Sequence, residues 1–434
     1  MGETDTDAAD QFNVSISPER LDEATPGLWR RYRRLPRNVF AISLVSLLND
    51  ASSEIIYPLL PLFLSMTLGA SYAAIGVIEG AAESVSSLLK LFAGYFSDKR
   101  GRRKGMVVFG YGLANLVRPL LAFATNWFQV LAVRLTDRVG KGIRSAPRDA
   151  MIADAVRVEE RGLAFGFHRA MDHAGAVIGP LIGYVLLLVF AQDKNAPAQS
   201  DYATVFLLAS IPAVCAVLVA AFFVRETYVA KAAPVNGPLV PPLRLSLRGF
   251  DSNFKRFLVI LALFTLSNSS DAFLILRARE AGVSIASVPL LWAALHGVKV
   301  LSSLIGGDLS DRLGRKRLIA SGWLLYALVY MGFAFVSSTG AAWALFLVYG
   351  VYFGLAEGAE KALVADLVRA EQRGTAYGLY NLAFGITVFP ASLLMGGLWS
   401  WQGAQTAFLV SALLGSVSAM LLLMFVQVKR TNFQ

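Results

Sequence analysis

Ionisable side chains recur at helical spacing inside the apolar stretches of this 434-residue chain. Asp50 and Glu54 lie four residues apart, as do Glu79 and Glu83, and residues at that spacing share a helix face. Arg134, Arg138 and Lys141 fall at i, i+4 and i+7, with Asp137 between the two arginines. Arg169, Asp172 and His173 fall at i, i+3 and i+4, and His296 and Lys299 share a face. Asp271 closes the run Ser269-Ser270-Asp271, which parallels Ser52-Ser53-Glu54. A carboxylate in a low-dielectric site holds its proton more readily, and two neighbouring carboxylates cannot both ionise cheaply there. Asp50 and Glu54 are therefore a candidate proton-carrying pair, with Arg138 or Arg169 as counter-charge. Arg134, Arg138, Arg169 and Lys299 could instead hold an anion. A fixed ion pair that only stabilises packing is the competing role for each of these groups.

The segments that carry these residues are too apolar for a soluble protein. Hydrophobic residues make up 56% and charged residues 16% of the chain, against roughly 45–50% and about 25% in soluble domains. A soluble enzyme, a disordered scaffold and a coiled coil are excluded. The single Cys215 excludes a disulfide framework. A membrane-crossing helix needs about 20 apolar residues, and twelve such stretches can be marked: 39–67, 72–96, 105–124, 127–149, 162–189, 202–224, 257–276, 286–307, 318–337, 342–366, 374–398 and 404–427. The expected fold is an all-α membrane protein of twelve transmembrane helices in two pseudo-symmetric six-helix bundles. A charge at the centre of such a helix costs at least ~2.5–3.5 kcal/mol. The ionisable residues should thus pair or line one hydrated cavity, and several lie near span midpoints, as a polar belt at the midplane would. Lys90 and Arg118, nearer span ends, suit snorkelling or a local ion pair. Arg144 and Arg148 suit the cytoplasmic mouth, and Glu357, Glu360 and Lys361 suit an ion-pair cluster or a gate. His168 reads as a polar residue at a helix end, and the aromatic residues are expected mostly at lipid-facing or interfacial positions.

Alternate loops differ sharply in charge. With the N-terminus inside, the cytoplasmic segments hold 27 Lys and Arg and the external loops 3, namely Lys194, Arg277 and Arg279. The positive-inside rule then places both termini in the cytoplasm. Residues 1–38 form a cytoplasmic tail, with no apolar core or cleavage site to suggest a signal peptide. The first bundle covers 39–224, a proline-containing cytoplasmic linker 225–256, the second bundle 257–427 and a short cytoplasmic tail 428–434. Repetition supports the halves. Gly94-Tyr-Phe-Ser-Asp98-Lys-Arg-Gly101-Arg102-Arg103 returns as Gly307-Asp-Leu-Ser-Asp311-Arg-Leu-Gly314-Arg315-Lys316. Ala150 to Asp154 returns as Ala362 to Asp366, and Arg161 to Gly166 as Arg373 to Gly378, at nearly the same offset. Repeats in one orientation often enclose a substrate site near the midplane.

Over residues 39–427 these features resemble the major facilitator superfamily. The loop after the second span is similar to its G-x-x-x-D-R/K-x-G-R-R/K-R/K signature, matched by Gly94, Asp98, Gly101, Arg102 and Arg103 and echoed by Gly307, Asp311, Gly314 and Arg315. Gly175, Gly179, Pro180 and Gly183 resemble the G-x-x-x-G-P motif of its antiporters. In the fourth span the glycine that follows the signature arginine by four residues is replaced, since Arg134 is followed by Arg138. The resemblance implies a cytoplasmic gate in which Asp98 pairs across the half interface, and a gate helix in the fifth span, where small residues allow close approach and Pro180 breaks a hydrogen bond.

The function implied is secondary active transport: proton-coupled efflux of a small organic compound by alternating access. The alternatives are proton-coupled uptake of a charged metabolite, and a transporter-like membrane sensor or assembly protein. No P-loop or close-spaced soft metal site appears, so no enzyme activity, metal or cofactor is expected, with the proton gradient as energy source. The expected partners are a small-molecule substrate and the lipid bilayer, not nucleic acid. The expected setting is a prokaryotic inner membrane, and the expected state a monomer.

Overall fold

A computed structural model describes residues 33–100, 102–157, 160–226, 246–369 and 372–427. Every apolar stretch is helical, and no strand occurs among the described residues. The first half contains α1 (Arg37–Ile56), α2 (Tyr72–Arg100), α3 (Lys104–Val117), α4 (Trp127–Asp154), α5 (Arg161–Phe190), α6 (Gln199–Leu208) and α7 (Ser210–Phe222). The second contains α8 (Ser252–Ser267), α9 (Ala272–Glu280), α10 (Val288–Leu313), α11 (Arg315–Phe335), α12 (Thr339–Leu367), α13 (Arg373–Gln402) and α14 (Ala404–Phe425). Among the described residues, ten helical spans are long and apolar enough to cross a membrane, with α6–α7 and α8–α9 each counting as one. The helices α2 and α4 are continuous but too charged to meet that measure. The first helix of the second half starts at Ser252, ahead of the apolar stretch marked from 257.

Two spans that the sequence presents as continuous are interrupted. After α1 the chain turns at Tyr57–Leu59, then resumes as a short helix and a π-helical turn, Phe63–Thr67. Between α8 and α9 it breaks at Asn268–Asp271. Irregular backbone at membrane depth is tolerated where it is buried in protein or lines a polar cavity.

Helices pack mainly within each half of the sequence: α1 on α5, α2 on α4, α3 on α4, and in the second half α10 on α12, α11 on α14 and α11 on α12. Two long contacts join the halves, α2 with α13 and α5 with α10. From Pro36 onward the chain is one compact unit rather than two, so the division into halves is carried by repetition and not by a gap in packing. The largest buried side chains include Trp323, Tyr326, Tyr330 and Tyr349. These four form much of the core of the second half, with Tyr326 and Tyr330 stacked at 4.1 Å. Aromatic residues are therefore not confined to lipid-facing or interfacial sites.

The α2–α13 contact depends on small residues. A Cβ on Gly76 would collide with the carbonyl of Ser392, and one on Gly80 would lie 2.9 Å from the Ser392 Cβ. Ser84 donates to the carbonyl of Gly385 further along the same seam. Side-chain bonds also tie the halves together where α2 begins. Tyr72 donates to Glu280 at 3.0 Å, the amide of Ala73 donates to Ser400 at 3.1 Å, and Arg279 donates to the Asn195 carbonyl at 3.2 Å. Toward the other end Arg169 on α5 and Glu357 and Lys361 on α12 are exposed.

Candidate functional site

Residues from both halves enclose a cavity of about 250 Å³. Its walls come from α1, the short 3-10 turn at Arg118, α4, the break before α9, and α10. Asp50, Glu54, Arg134, Asp137, Arg138, Asp271, His296 and Lys299 all line it. Charges that the sequence marks on α1, α4 and α10 line this one cavity, and Glu54 and its counterpart Asp271 both lie in its wall. Glu79, Glu83, Arg169, Asp172 and His173 are not among its lining residues. Glu79 reaches the site indirectly, accepting from Arg134 at 2.8 Å.

The carboxylates have different partners. Glu54 accepts from the indole N–H of Trp292 at 2.8 Å, a bond that joins the first half to the second. Asp50 accepts from Asn49 at 2.9 Å. Asp137 is bound into structure, accepting from Arg118 at 2.8 Å. Arg118 also donates to the Asn49 carbonyl, Ser52 and Asn115, so its role is the local ion pair. Asp271 accepts from Tyr349 at 2.7 Å and lies 3.6 Å from Lys299. Since Asp271 sits where α8 has ended, the helix break sets its position.

The basic residues divide as sharply. Arg118 and Arg134 are buried and neutralised by Asp137 and Glu79. Arg138, Lys141 and Arg144 line the cavity with no ion-pair partner within 4.0 Å among the described residues. Arg144 corrects the expectation of a residue at the mouth: it is 4% exposed, and its guanidinium lies 4.3 Å from the ring of Tyr111. Its position on the face of α4 shared with Lys141 was the signal available in the sequence. Arg148 instead donates to Asp149 and Ser46, away from the cavity. Tyr57 and Trp292 also line the site, and no charge pattern could have revealed them.

Outside the cavity, Lys361 pairs with Glu357 at 3.0 Å, while Glu360 stands apart from them, accepting from Trp323 at 2.8 Å and Tyr380 at 2.9 Å. His168 lies 3.6 Å from Asp172. The glycine stripe of α5 faces α1: Cβ atoms on Gly175 and Gly179 would lie 2.6 Å and 2.5 Å from the carbonyls of Leu47 and Ala51, and one on Gly183 would lie 3.2 Å from that of Ile55. Pro180 lies inside this helix, which continues to Phe190.

The two loop motifs pair with the same repeated segment, through arginines one register apart. Arg103 pairs with Asp154, and Arg315 pairs with Asp366 at 2.6 Å. The repeated loop and the repeated Ala-x-x-Ala-Asp segment are therefore two ends of one ion pair in each half. Glu226 accepts from the backbone N–H groups of Arg103 and Lys104, at the start of α3. Gly94 lies 3.4 Å, measured from an added Cβ, from the Ala146 side chain, and Gly314 takes a left-handed φ of 85° between α10 and α11. Arg102 is exposed. Gly101 and the side chains of Asp98 and Asp311 lie outside the described residues, as does everything beyond the backbone of Gly307.

A family model described as Major Facilitator Superfamily matches residues 42–390 and 257–433. An uncharacterized MFS-type transporter of Methanocaldococcus jannaschii is 34% identical over 397 residues, covering 90% of this chain and 95% of the relative. The multidrug resistance protein MdtG of Enterobacter lignolyticus is 24% identical, covering 87% and 89%. Among solved structures, a bacterial homolog of the human lysosomal transporter Spinster, in an inward-facing and occupied conformation, superposes with a TM-score of 0.72 at 16% identity, covering 89% of this chain and 95% of that one.

Proposed function

The chain belongs to the major facilitator superfamily, and from that premise we propose that it is a proton-coupled secondary active transporter that exports a small organic compound by alternating access. It is a multi-pass membrane transporter and not an enzyme. The observation that carries the reading is the cavity shared by the two halves, with Glu54 bonded across it to Trp292. An ionised carboxylate accepts a hydrogen bond about twice as strongly as a neutral group. Protonation of Glu54 therefore loosens its tie to α10, which links the proton to movement of the halves. Export is supported by the multidrug resistance relatives. A second reading, uptake of a charged metabolite, is favoured by the unpaired basic side chains on α4.

Twelve crossings follow when α2 and α4 join the ten apolar spans. Their charges are compatible with this, because Glu79 meets Arg134 and Asp137 meets Arg118 inside the protein. The charge asymmetry of the loops supports cytoplasmic termini in a prokaryotic inner membrane, with the monomer as the working unit. In this orientation the bonds among Tyr72, Glu280, Ala73 and Ser400 form the external seal. The test is a compound panel applied to liposomes holding the purified protein and a pH-sensitive dye. A compound-evoked proton flux is expected, and compound movement that is indifferent to a pH gradient in both directions would refute the coupling.

A further inference from the structure

We infer that the cavity takes an organic anion, such as a small carboxylate or phosphate ester, held by Arg138, Lys141 and Arg144 of α4. This rests on the transporter reading and adds the charge class of its substrate.

Six basic residues line the cavity, but three are occupied: Arg118 with Asp137, Arg134 with Glu79, and Lys299 with Asp271. Arg138, Lys141 and Arg144 remain, placed within two turns of one helix. The other two carboxylates at the site, Asp50 and Glu54, already accept bonds from Asn49 and Trp292. Among the lining residues donors therefore exceed acceptors, while Glu83 of α2, outside the lining, also acts on Arg138 and Lys141. The Nε of Arg138 and both the Nε and one Nη of Arg144 are buried with no hydrogen-bond partner among the described residues. An unpaired buried donor is costly, more so when charged, and planar guanidinium groups match carboxylate and phosphate oxygens in a fork. Stacking on Tyr111 occupies the face of the Arg144 guanidinium and leaves its edge donors free. A ligand with several anionic oxygens satisfies these donors, whereas an organic cation offers them no acceptor.

Size points the same way. The cavity, about 250 Å³, is below the roughly 300–1,000 Å³ of drug-sized pockets. It suits a compact, highly charged solute better than a bulky lipophilic one.

The test uses the full-length protein in two arms. In detergent, thermal stability is followed with succinate, citrate, glycerol phosphate, tetraethylammonium and ethidium, because a ligand that binds only the folded state raises the melting temperature. In liposomes, counterflow of the same labelled compounds is measured for the wild type and for Arg138→Gln, Lys141→Gln and Arg138→Lys. Stabilisation and counterflow by at least one anion, with KM raised about tenfold or more in the Gln variants and partly restored in Arg138→Lys, is the expected result. The carboxylate and phosphate arms distinguish the two oxyanion types. Transport of the cations alone would overturn the anion assignment while leaving the transporter reading intact. Anion transport unchanged in both Gln variants would overturn the assignment to α4. The wild-type stability measurement holds even where a variant does not fold.

Discussion

Burial and pairing decide what each charge does. The Arg118–Asp137 pair is 2.8 Å long and both residues are 5% exposed. Removing one partner of such a pair strands the other, at a cost of about 3–5 kcal/mol. Asp137→Asn should therefore lower the melting temperature strongly, as read by a thermal melt in detergent. Lys361→Gln should shift it little, because the Lys361–Glu357 pair is half-exposed and such pairs contribute about 0–1 kcal/mol. The sequence shows which helices carry charge, because a charge is conspicuous in an apolar run. It does not show which charges cancel, since Arg134 meets Glu79 from 55 positions away and Arg118 meets Asp137 from 19 positions away, on the next helix. The face that Arg144 shares with Lys141 points to the cavity, but its contact with Tyr111, on another helix, is not legible in the sequence.

At the scale of elements, apolar length and small-residue spacing make the helices legible and leave their partners open. The α5 glycines are spaced for close approach, but only the fold shows that they meet the α1 backbone beside Asp50 and Glu54. Gly179→Leu should overpack this contact and cost about 1–3 kcal/mol, with impaired transport because Glu54 lies against the same spot. Gly166→Ala, where nothing lies within 4 Å, should leave the melting temperature nearly unchanged. The breaks at Tyr57–Leu59 and Asn268–Asp271 are less legible. Neither is marked by more than a short polar run or a proline that also occurs inside intact helices such as α5.

For the whole molecule, alternating access requires the bonds where α2 begins to open during each cycle. Tyr72 and Glu280 lie on opposite halves, 3.0 Å apart. In a Cys215→Ser background, Tyr72→Cys with Glu280→Cys joined by a short thiol crosslinker should stop turnover, and cleavage of the link should restore it. Full turnover in the crosslinked protein would place the moving seam elsewhere. Topology has its own test. Cysteines at 102 and 315 should react with impermeant reagents only from the cytoplasmic side, because the loop charges are distributed 27 to 3.

The most direct measurement is transport by Glu54→Gln in liposomes, using a compound that evokes proton flux with the wild type. Glu54 accepts the bond from Trp292 that joins α1 to the second half, and in the proposed mechanism it carries the proton. Its glutamine replacement keeps the shape and a hydrogen-bond acceptor but cannot cycle a proton. Transport driven by a pH gradient should be abolished, while counterflow exchange of the same compound continues. Intact pH-driven transport in both Glu54→Gln and Asp50→Asn would contradict the account.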